Sequence, residues 1–559
     1  MSTEIKKVHE AKANPLGYVV VAAVLLAIIF VYYLPAMKKV PLNSTEDIHI
    51  YYLGEKVDSA LLNEEQLYLP LSFIKSKIDP NIQWDEQGQR VIITTPNEVY
   101  HLPLGKREGM LNLEPYPFSY PVVKNQGNIY LPAEPLDEYY QLNIQYLQEQ
   151  SVAIIHNFQV PLTEGTVLTA GKLRQNPADR SPWLEEISQG ENVYIMREEN
   201  GHYWVETISG QMGYLDKKMV RLTGIKTAEI AREYYQPWNP LGEKIIMTWE
   251  GAWGKTVDPK NLPNLSGLHV VSPTWFSLEK DGLVKNQGDV RYVQWAHETG
   301  RQVWGLFDNS FDKDLTHQFL SSPELRIKVI KQLLTYVDLY QLDGINLDFE
   351  NMYLKDKEGY VQFVRELAPL LHEKDRSISV NVTFISRSEN WSMCYDRQSL
   401  GEIVDYVTVM AYDEHGTFSN YPGSVASLPW VEEGLRQILK EIPNEKIILG
   451  VPFYTRLWEE STDEKGNRKL TSKAISMTRA EAWVKENKLQ PIQDPLTGQN
   501  YVELEKDGVK YSIWLEDEFS MEQRINLMKK YHLAGISGWR RGFEREGFWP
   551  VITDFINKR

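Results

Sequence analysis

Asp343-Gly344-Ile345-Asn346-Leu347-Asp348-Phe349-Glu350 is the stretch from which the rest of the chain can be read. Ile345, Leu347 and Phe349 are apolar and alternate with the polar Asn346, Asp348 and Glu350. Period-two alternation predicts a strand with one apolar and one polar face. Asp348 and Glu350 fall on the same face, with Cα atoms roughly 6.5–7 Å apart. A strand concentrates charge in this way where water, a metal or a substrate meets it; a solvated strand end or an ion site is the plainer alternative. Helix-like runs over residues 323–341 and 357–374 flank it. A strand between helices is the setting of an α/β barrel, where catalytic groups sit at the carboxyl ends of strands.

Working outward, strands and helices alternate from residue 244 to the end. Candidate strands begin near Ile245, Leu268, Gln302, Gly344, Ile378, Tyr406, Lys446 and Gly535. Eight strands in roughly 315 residues fit a (β/α)8 (TIM) barrel over 244–559. No helical pattern separates the first two strands. Residues 457–516 are too long for a loop, and Asp507-Gly508 inside them is a hairpin signal; a small inserted subdomain is expected there. At the strand ends stand Thr248-Trp249-Glu250, then Asn346, Asp348 and Glu350, then Tyr412-Asp413, Tyr454 and Trp539. Carboxylates, tyrosines and tryptophans at one rim describe a sugar site, with aromatic floors for ring faces and acids for the glycosidic oxygen. No histidine pair or cysteine cluster joins them, so neither a metal nor a cofactor is expected. Asp308 to Asp314 begins like a calcium loop, but Lys313 stands where the glycine belongs and Phe319 where the closing glutamate should be.

The chain is multidomain by its 559 residues and globular by its 42% hydrophobic and 24% charged content. A net charge of −16 speaks against a nucleic-acid partner, which demands a basic face. Cys394 is alone, so no intrachain disulfide can form. Residues 16–34 carry no charge and can span about 30 Å of hydrocarbon as a helix. Lys6, Lys7 and Lys12 precede them and Lys38 and Lys39 follow, a slight positive-inside bias. No small-x-small cleavage site follows. Residues 1–40 are therefore expected to be a cytoplasmic tail and a single uncleaved transmembrane anchor in the cell membrane, with the bulk of the chain extracytoplasmic. Over 45–160 the order strand, helix, hairpin occurs twice, predicting a small α+β domain. Residues 163–223 show short apolar runs and turns, predicting a small β-barrel, and 224–243, with Pro237 and Pro240, reads as a linker.

Three resemblances follow from these residues. The 45–160 segment is similar to the stalk-type domains related to the amino-terminal domain of copper amine oxidases. The 163–223 segment resembles bacterial SH3-type barrels, which often bind cell-wall peptide, with Trp183, Tyr194, Tyr203, Trp204 and Tyr214 as candidates for a groove. The 244–559 segment resembles glycoside hydrolase family 18, the chitinase-like barrels. Asp343, Asp348 and Glu350 match that family's fourth-strand signature, Met410-Ala411-Tyr412-Asp413 its sixth-strand motif, and Trp539 its eighth-strand tryptophan. The layout as a whole is similar to bacterial spore and cell-wall hydrolases.

The family resemblance implies a retaining, substrate-assisted reaction. A retaining glycosidase with its own nucleophile needs a second carboxylate across the sugar, about 5–5.5 Å from the acid. Asp348 shares a strand and a side with Glu350 and is badly placed to attack from the opposite face. Family members use the substrate's N-acetyl oxygen instead, a recognised exception. By resemblance Glu350 is acid and then base, Asp348 orients the acetamido group, and Tyr412 hydrogen-bonds its carbonyl. Asp413 contacts the sugar, Trp539 floors it, and Trp249, Tyr454 and Asn346 complete the substrate side. Asn346 departs from the family's second aspartate, so Asp348 faces one fewer like charge and ionises more readily than beside an acid. The implied substrate is a polysaccharide containing N-acetylglucosamine: peptidoglycan first, chitin or chitooligosaccharide as the alternative. A non-catalytic wall-binding protein is the other class; barrels of this family that became lectins typically lose the acid, and Glu350 is present.

Overall fold

The computed structural model describes residues 15–40, 47–157, 160–227, 235–239, 243–254, 256–263, 265–462 and 466–558. The basic tail with Lys6, Lys7 and Lys12, and half of the expected linker, lie outside the described residues. The chain divides into two compact units. One holds residues 1–82, 102–107 and 118–232, the other 83–101, 108–117 and 233–559.

The first unit opens with the helix Pro15–Met37. Its Tyr18–Met37 stretch has a mean hydropathy of 2.6 and none of it is buried, so it is long and apolar enough to cross a membrane. The chain then adds to the edge strand Trp183–Ile187: the Val40 N–H donates to the Trp183 carbonyl at 2.9 Å, and the Trp183 N–H to the Lys38 carbonyl at 3.1 Å. Gln66–Pro70 leads into the helix Leu71–Lys77, as Asn128–Pro132 leads into Ala133–Tyr140 and the hairpin Leu142–Leu147/Val152–Asn157. Residues 162–226 form a seven-stranded antiparallel sheet around Val167, Leu173, Val205 and Leu215. Its aromatic residues are held by the protein itself. Tyr203 and Tyr214 are buried, and the Trp204 indole donates to the Gly54 carbonyl at 2.8 Å. Lys39 and Lys172 lie over the Trp183 ring, and Tyr194 meets His156 edge-on.

The second unit is the barrel. Its strands are β1 (Ile245–Glu250), β2 (Val270–Pro273), β3 (Gln302–Asp308), β4 (Gly344–Asp348), β5 (Ser377–Thr383), β6 (Tyr406–Met410), β7 (Ile447–Pro452) and β8 (Gly535–Trp539). Each starts within two residues of the position that alternation gives. All pair in parallel with their sequence neighbours, β8 pairs with both β7 and β1, and β2 pairs with β3, which closes the sheet. Alternation sorts the side chains. Ile345 and Leu347 join Val380, Val407 and Leu449 under the helices, while Met247, Trp249, Trp304, Leu306, Tyr406 and Ile448 fill the lumen. Trp304 stacks on Tyr406 with ring centroids 5.8 Å apart, so the lumen is a packed core and not a pore.

The helix before β4 spans Pro323–Tyr340. Ser322 caps it by accepting from the Leu325 N–H, Pro323 occupies its first turn, and Gln341 ends it at φ 58°. The helix after β4 is Lys357–His372. Among the described residues between β1 and β2 the one helical element is the single turn Pro259–Asn261. Among the described residues, the insertion after β7 is a five-stranded sheet with one helix, beginning at Tyr454. Asp507 and Gly508 both have positive φ (55° and 74°), as a two-residue hairpin of the favoured hand requires. A sheet running from Gln83–Asp85 to Glu114–Pro117 also belongs here: Val99 and Leu113 pack into the barrel's apolar cluster, and the Asn112 amide donates to Glu373 at 3.0 Å.

Candidate active site

The lumen side of β4 carries Asn346 and then Asp348, and the strand stops at Asp348. Glu350 therefore stands one step past the strand, on a backbone fixed from three sides. The Asn309 amide accepts from the Glu350 N–H at 3.0 Å and donates to its carbonyl at 2.6 Å. The buried Tyr395 hydroxyl donates to the Phe349 carbonyl at 2.7 Å. The Phe349 ring stacks on Tyr360 and Phe363 under the helices. Asn309 lies in the stretch that begins like a calcium loop. Its neighbour Asp312 instead caps the helix Lys313–Ser321, accepting from the Asp314 and Leu315 N–H groups.

A cavity of about 510 Å³ opens where these strands end. Asp348, Glu350, Tyr412, Asp413, Trp249 and Trp539 line it together. Trp249 meets Trp539 and Tyr412 edge-on, at centroid distances of 5.5 and 6.5 Å. Tyr454 stands behind the lining: its hydroxyl donates to the Asp413 carboxylate, which the backbone presents at φ 66°. Asn346 is not among the lining residues. It is fully buried, and its carbonyl oxygen accepts from the Trp249 indole at 3.1 Å. Glu250 is buried too, and the Arg541 guanidinium donates to it at 2.6 Å, so it is a paired acid and not a free one. Asp343 sits at the opposite end of β4, where it accepts from the Val303 N–H at 2.8 Å.

Alternation on β4 alone misses Asn381 and Thr383 of β5, and Phe384, Trp391 and Trp430, which wall the cavity. The signal exists for β5: Ser379, Asn381 and Thr383 alternate with Ile378, Val380 and Val382, as the polar residues do on β4.

Burial first, then the charges of Asp348, Asp413 and Asp308, hold the Glu350 carboxyl well above the usual carboxylate range. The shift favours the protonated form, the state a general acid needs. Burial also raises Asp348, to about 6, against the hydrogen bond from Asn381, which lowers it. The loss of a neighbouring acid at position 346 is outweighed by this burial. A carboxyl whose pKa is raised on folding stabilises the native state below its unfolded pKa and loses that contribution as pH rises through the folded value. For Asp348 the window runs from 3.8 to about 6, worth on the order of 3 kcal/mol. Thermal melts of Asp348→Asn should match the wild type near pH 4 and exceed it above pH 7; a constant offset at every pH would mean that Asp348 is not held in this way.

Residues 312–544 match the family profile of the glycosyl hydrolases family 18. The barrel thus contains a family 18 glycosyl hydrolase domain over residues 312–544. The uncharacterized glycosylase YvbX of Bacillus subtilis is 28% identical to this chain over 297 residues, 51% of this chain and 84% of YvbX. The cortical fragment-lytic enzyme of Bacillus anthracis is 26% identical over 293 residues, 50% of this chain and 66% of that enzyme, just under two thirds of its length. Among solved structures, the spore cortex-lytic enzyme of Bacillus megaterium aligns with a TM-score of 0.50 at 22% identity, over 59% of this chain and 78% of that one, which shows a shared fold. Ahead of the family 18 domain, residues 54–155 match the copper amine oxidase N-terminal domain.

Proposed function

We propose that the protein is an N-acetylglucosaminidase of cell-wall peptidoglycan, acting by a retaining, substrate-assisted mechanism. The carrying observation is Glu350, its carboxyl raised by burial, lining one cavity with Asp348 and Tyr412 over an aromatic floor. Glu350 donates its proton to the leaving glycosidic oxygen while the acetamido oxygen of the same sugar attacks its anomeric carbon. Asp348 accepts from the acetamido N–H and stabilises the oxazolinium charge, and the Tyr412 hydroxyl steadies the attacking carbonyl. Glu350, now a carboxylate, takes a proton from the water that opens the ring. Asp413, held by Tyr454, and Trp539 and Trp249 seat the sugar; Asn346 acts from below, through Trp249.

Peptidoglycan is favoured over chitin by likeness to a relative named for lysis of cortical fragments, and by a helix suited to anchor the chain in a membrane. In this reading 1–40 anchors the chain and 45–160, less the 83–101 and 108–117 segments that belong to the barrel unit, is a stalk. The 163–223 module, its aromatic residues turned to intramolecular contacts, is a spacer, and 244–559 works outside the cytoplasm. Detergent-solubilised full-length chain should be incubated with peptidoglycan and, separately, with chitin oligomers, and the products reduced and weighed by mass spectrometry. New ends in N-acetylglucosamine from peptidoglycan are expected. Ends in N-acetylmuramic acid, or turnover of chitin oligomers alone, would overturn the assignment.

A further inference from the structure

Beneath the reacting carboxylates lies an amide pair that the family signature does not contain. Asn346, where the signature has an acid, is enclosed completely: its amide nitrogen donates to the Ser379 hydroxyl at 2.8 Å and to the Asn381 carbonyl oxygen at 2.9 Å. Its own carbonyl oxygen accepts from Trp249, from the Ser272 hydroxyl at 3.3 Å and from the Asn381 amide at 3.1 Å. Both ends of Asn346 are thus occupied, and it has no titrating proton to share with Asp348. Asn381, which is 1% exposed, is the residue that reaches Asp348. Its amide nitrogen donates to Asp348 Oδ1 at 2.9 Å, and its carbonyl oxygen is fixed by Asn346.

We propose that Asn381 is a positioning residue for Asp348: it anchors one carboxylate oxygen with a neutral donor, so that the other faces the acetamido group as a fixed anion. This orientation needs no proton exchanged with a second acid beneath. The amide order is set from outside. The Trp249 indole can only donate, so Asn346 turns its carbonyl oxygen to it, which directs the Asn346 amide nitrogen toward Asn381 and leaves the Asn381 amide pointed at Asp348. The other ionisable groups around Asp348 are Asp308 at the end of β3, Glu350, Tyr412 after β6, Tyr360 of the helix Lys357–His372, and Tyr395. None is a cation, so the Asn381 hydrogen bond is the one contact among them that favours the Asp348 anion.

The inference rests on the hydrolase reading above, and its test separates the two. Full-length chain is assayed on a fluorogenic N,N′-diacetylchitobioside across pH 4–9, with affinity for a thiazoline mimic of the cyclised intermediate measured by calorimetry at the same pH values. Asn381→Ala removes the donor. Its kcat should fall about 10- to 100-fold near neutrality, the worth of a hydrogen bond to a charged group. The acid limb should move up by about one pH unit, KM should change little, and activity should partly return at high pH. Asn381→Asp keeps the shape but donates only while protonated, so it should lose activity and thiazoline affinity as pH rises, the opposite sense. Melting curves select pH values at which both variants are folded. Two variants that lower activity by one pH-independent factor, or leave it unchanged, would overturn the role of Asn381 while the hydrolase reading stands. A wild type that neither turns over the substrate nor binds the thiazoline would overturn both.

Discussion

Glu350→Gln should lower turnover of an N-acetylhexosaminide by about 10²–10⁴-fold, the usual contribution of general acid catalysis. Glutamine has the shape of the protonated acid that burial favours at this position. The clamp from Asn309 acts on the backbone, so it survives the substitution. KM should stay close to that of the wild type, and the melting temperature should hold or rise, because a buried carboxyl can no longer ionise. The loss should fall on kcat, read by steady-state kinetics. Unchanged turnover would place the chemistry elsewhere.

The fold was legible because lumen and helix-facing positions alternate along every barrel strand, and the chain writes that alternation plainly at β4 and β6. The helix Pro323–Tyr340 announces itself through Ser322 and Pro323 in the same local way. What the sequence could not supply is depth and distance. Alternation puts Asn346 and Asp348 on one side of β4, but not which of them reaches the cavity; Asn346 ends under Trp249 because it lies one pleat lower. Asn381 meets Asp348 only through the register of β4 on β5, where Asn346 stands opposite Ser379. Glu250 looks free until Arg541, 291 positions later, returns to it. Asn309 reads as part of a failed calcium loop, and its hold on Glu350 is a tertiary fact. The aromatic residues of 163–223 suggested a groove by their number, while the structure sets Trp204 against Gly54 and places Lys39 and Lys172 over the Trp183 ring.

The nucleophile carries the central claim. If the acetamido oxygen attacks, a sugar without its acetyl group lacks the nucleophile itself, while the aromatic floor of Trp249 and Trp539 still offers its ring a surface. Partially de-N-acetylated chains should then be cut only where N-acetylglucosamine lies on the non-reducing side of the broken bond. Loss should be near total at glucosamine, because no geometry of Asp348 or Tyr412 replaces an absent atom. The thiazoline mimic should bind more tightly than the intact sugar, since it carries the cyclic shape that the site stabilises. The decisive measurement is the sequence of the cleavage products from a partially de-N-acetylated oligomer, read by tandem mass spectrometry. N-acetylglucosamine alone at the newly formed reducing ends is the result expected of substrate assistance; glucosamine there at comparable frequency, or a covalent glycosyl-enzyme in the quenched mixture, would show that a protein carboxylate attacks instead.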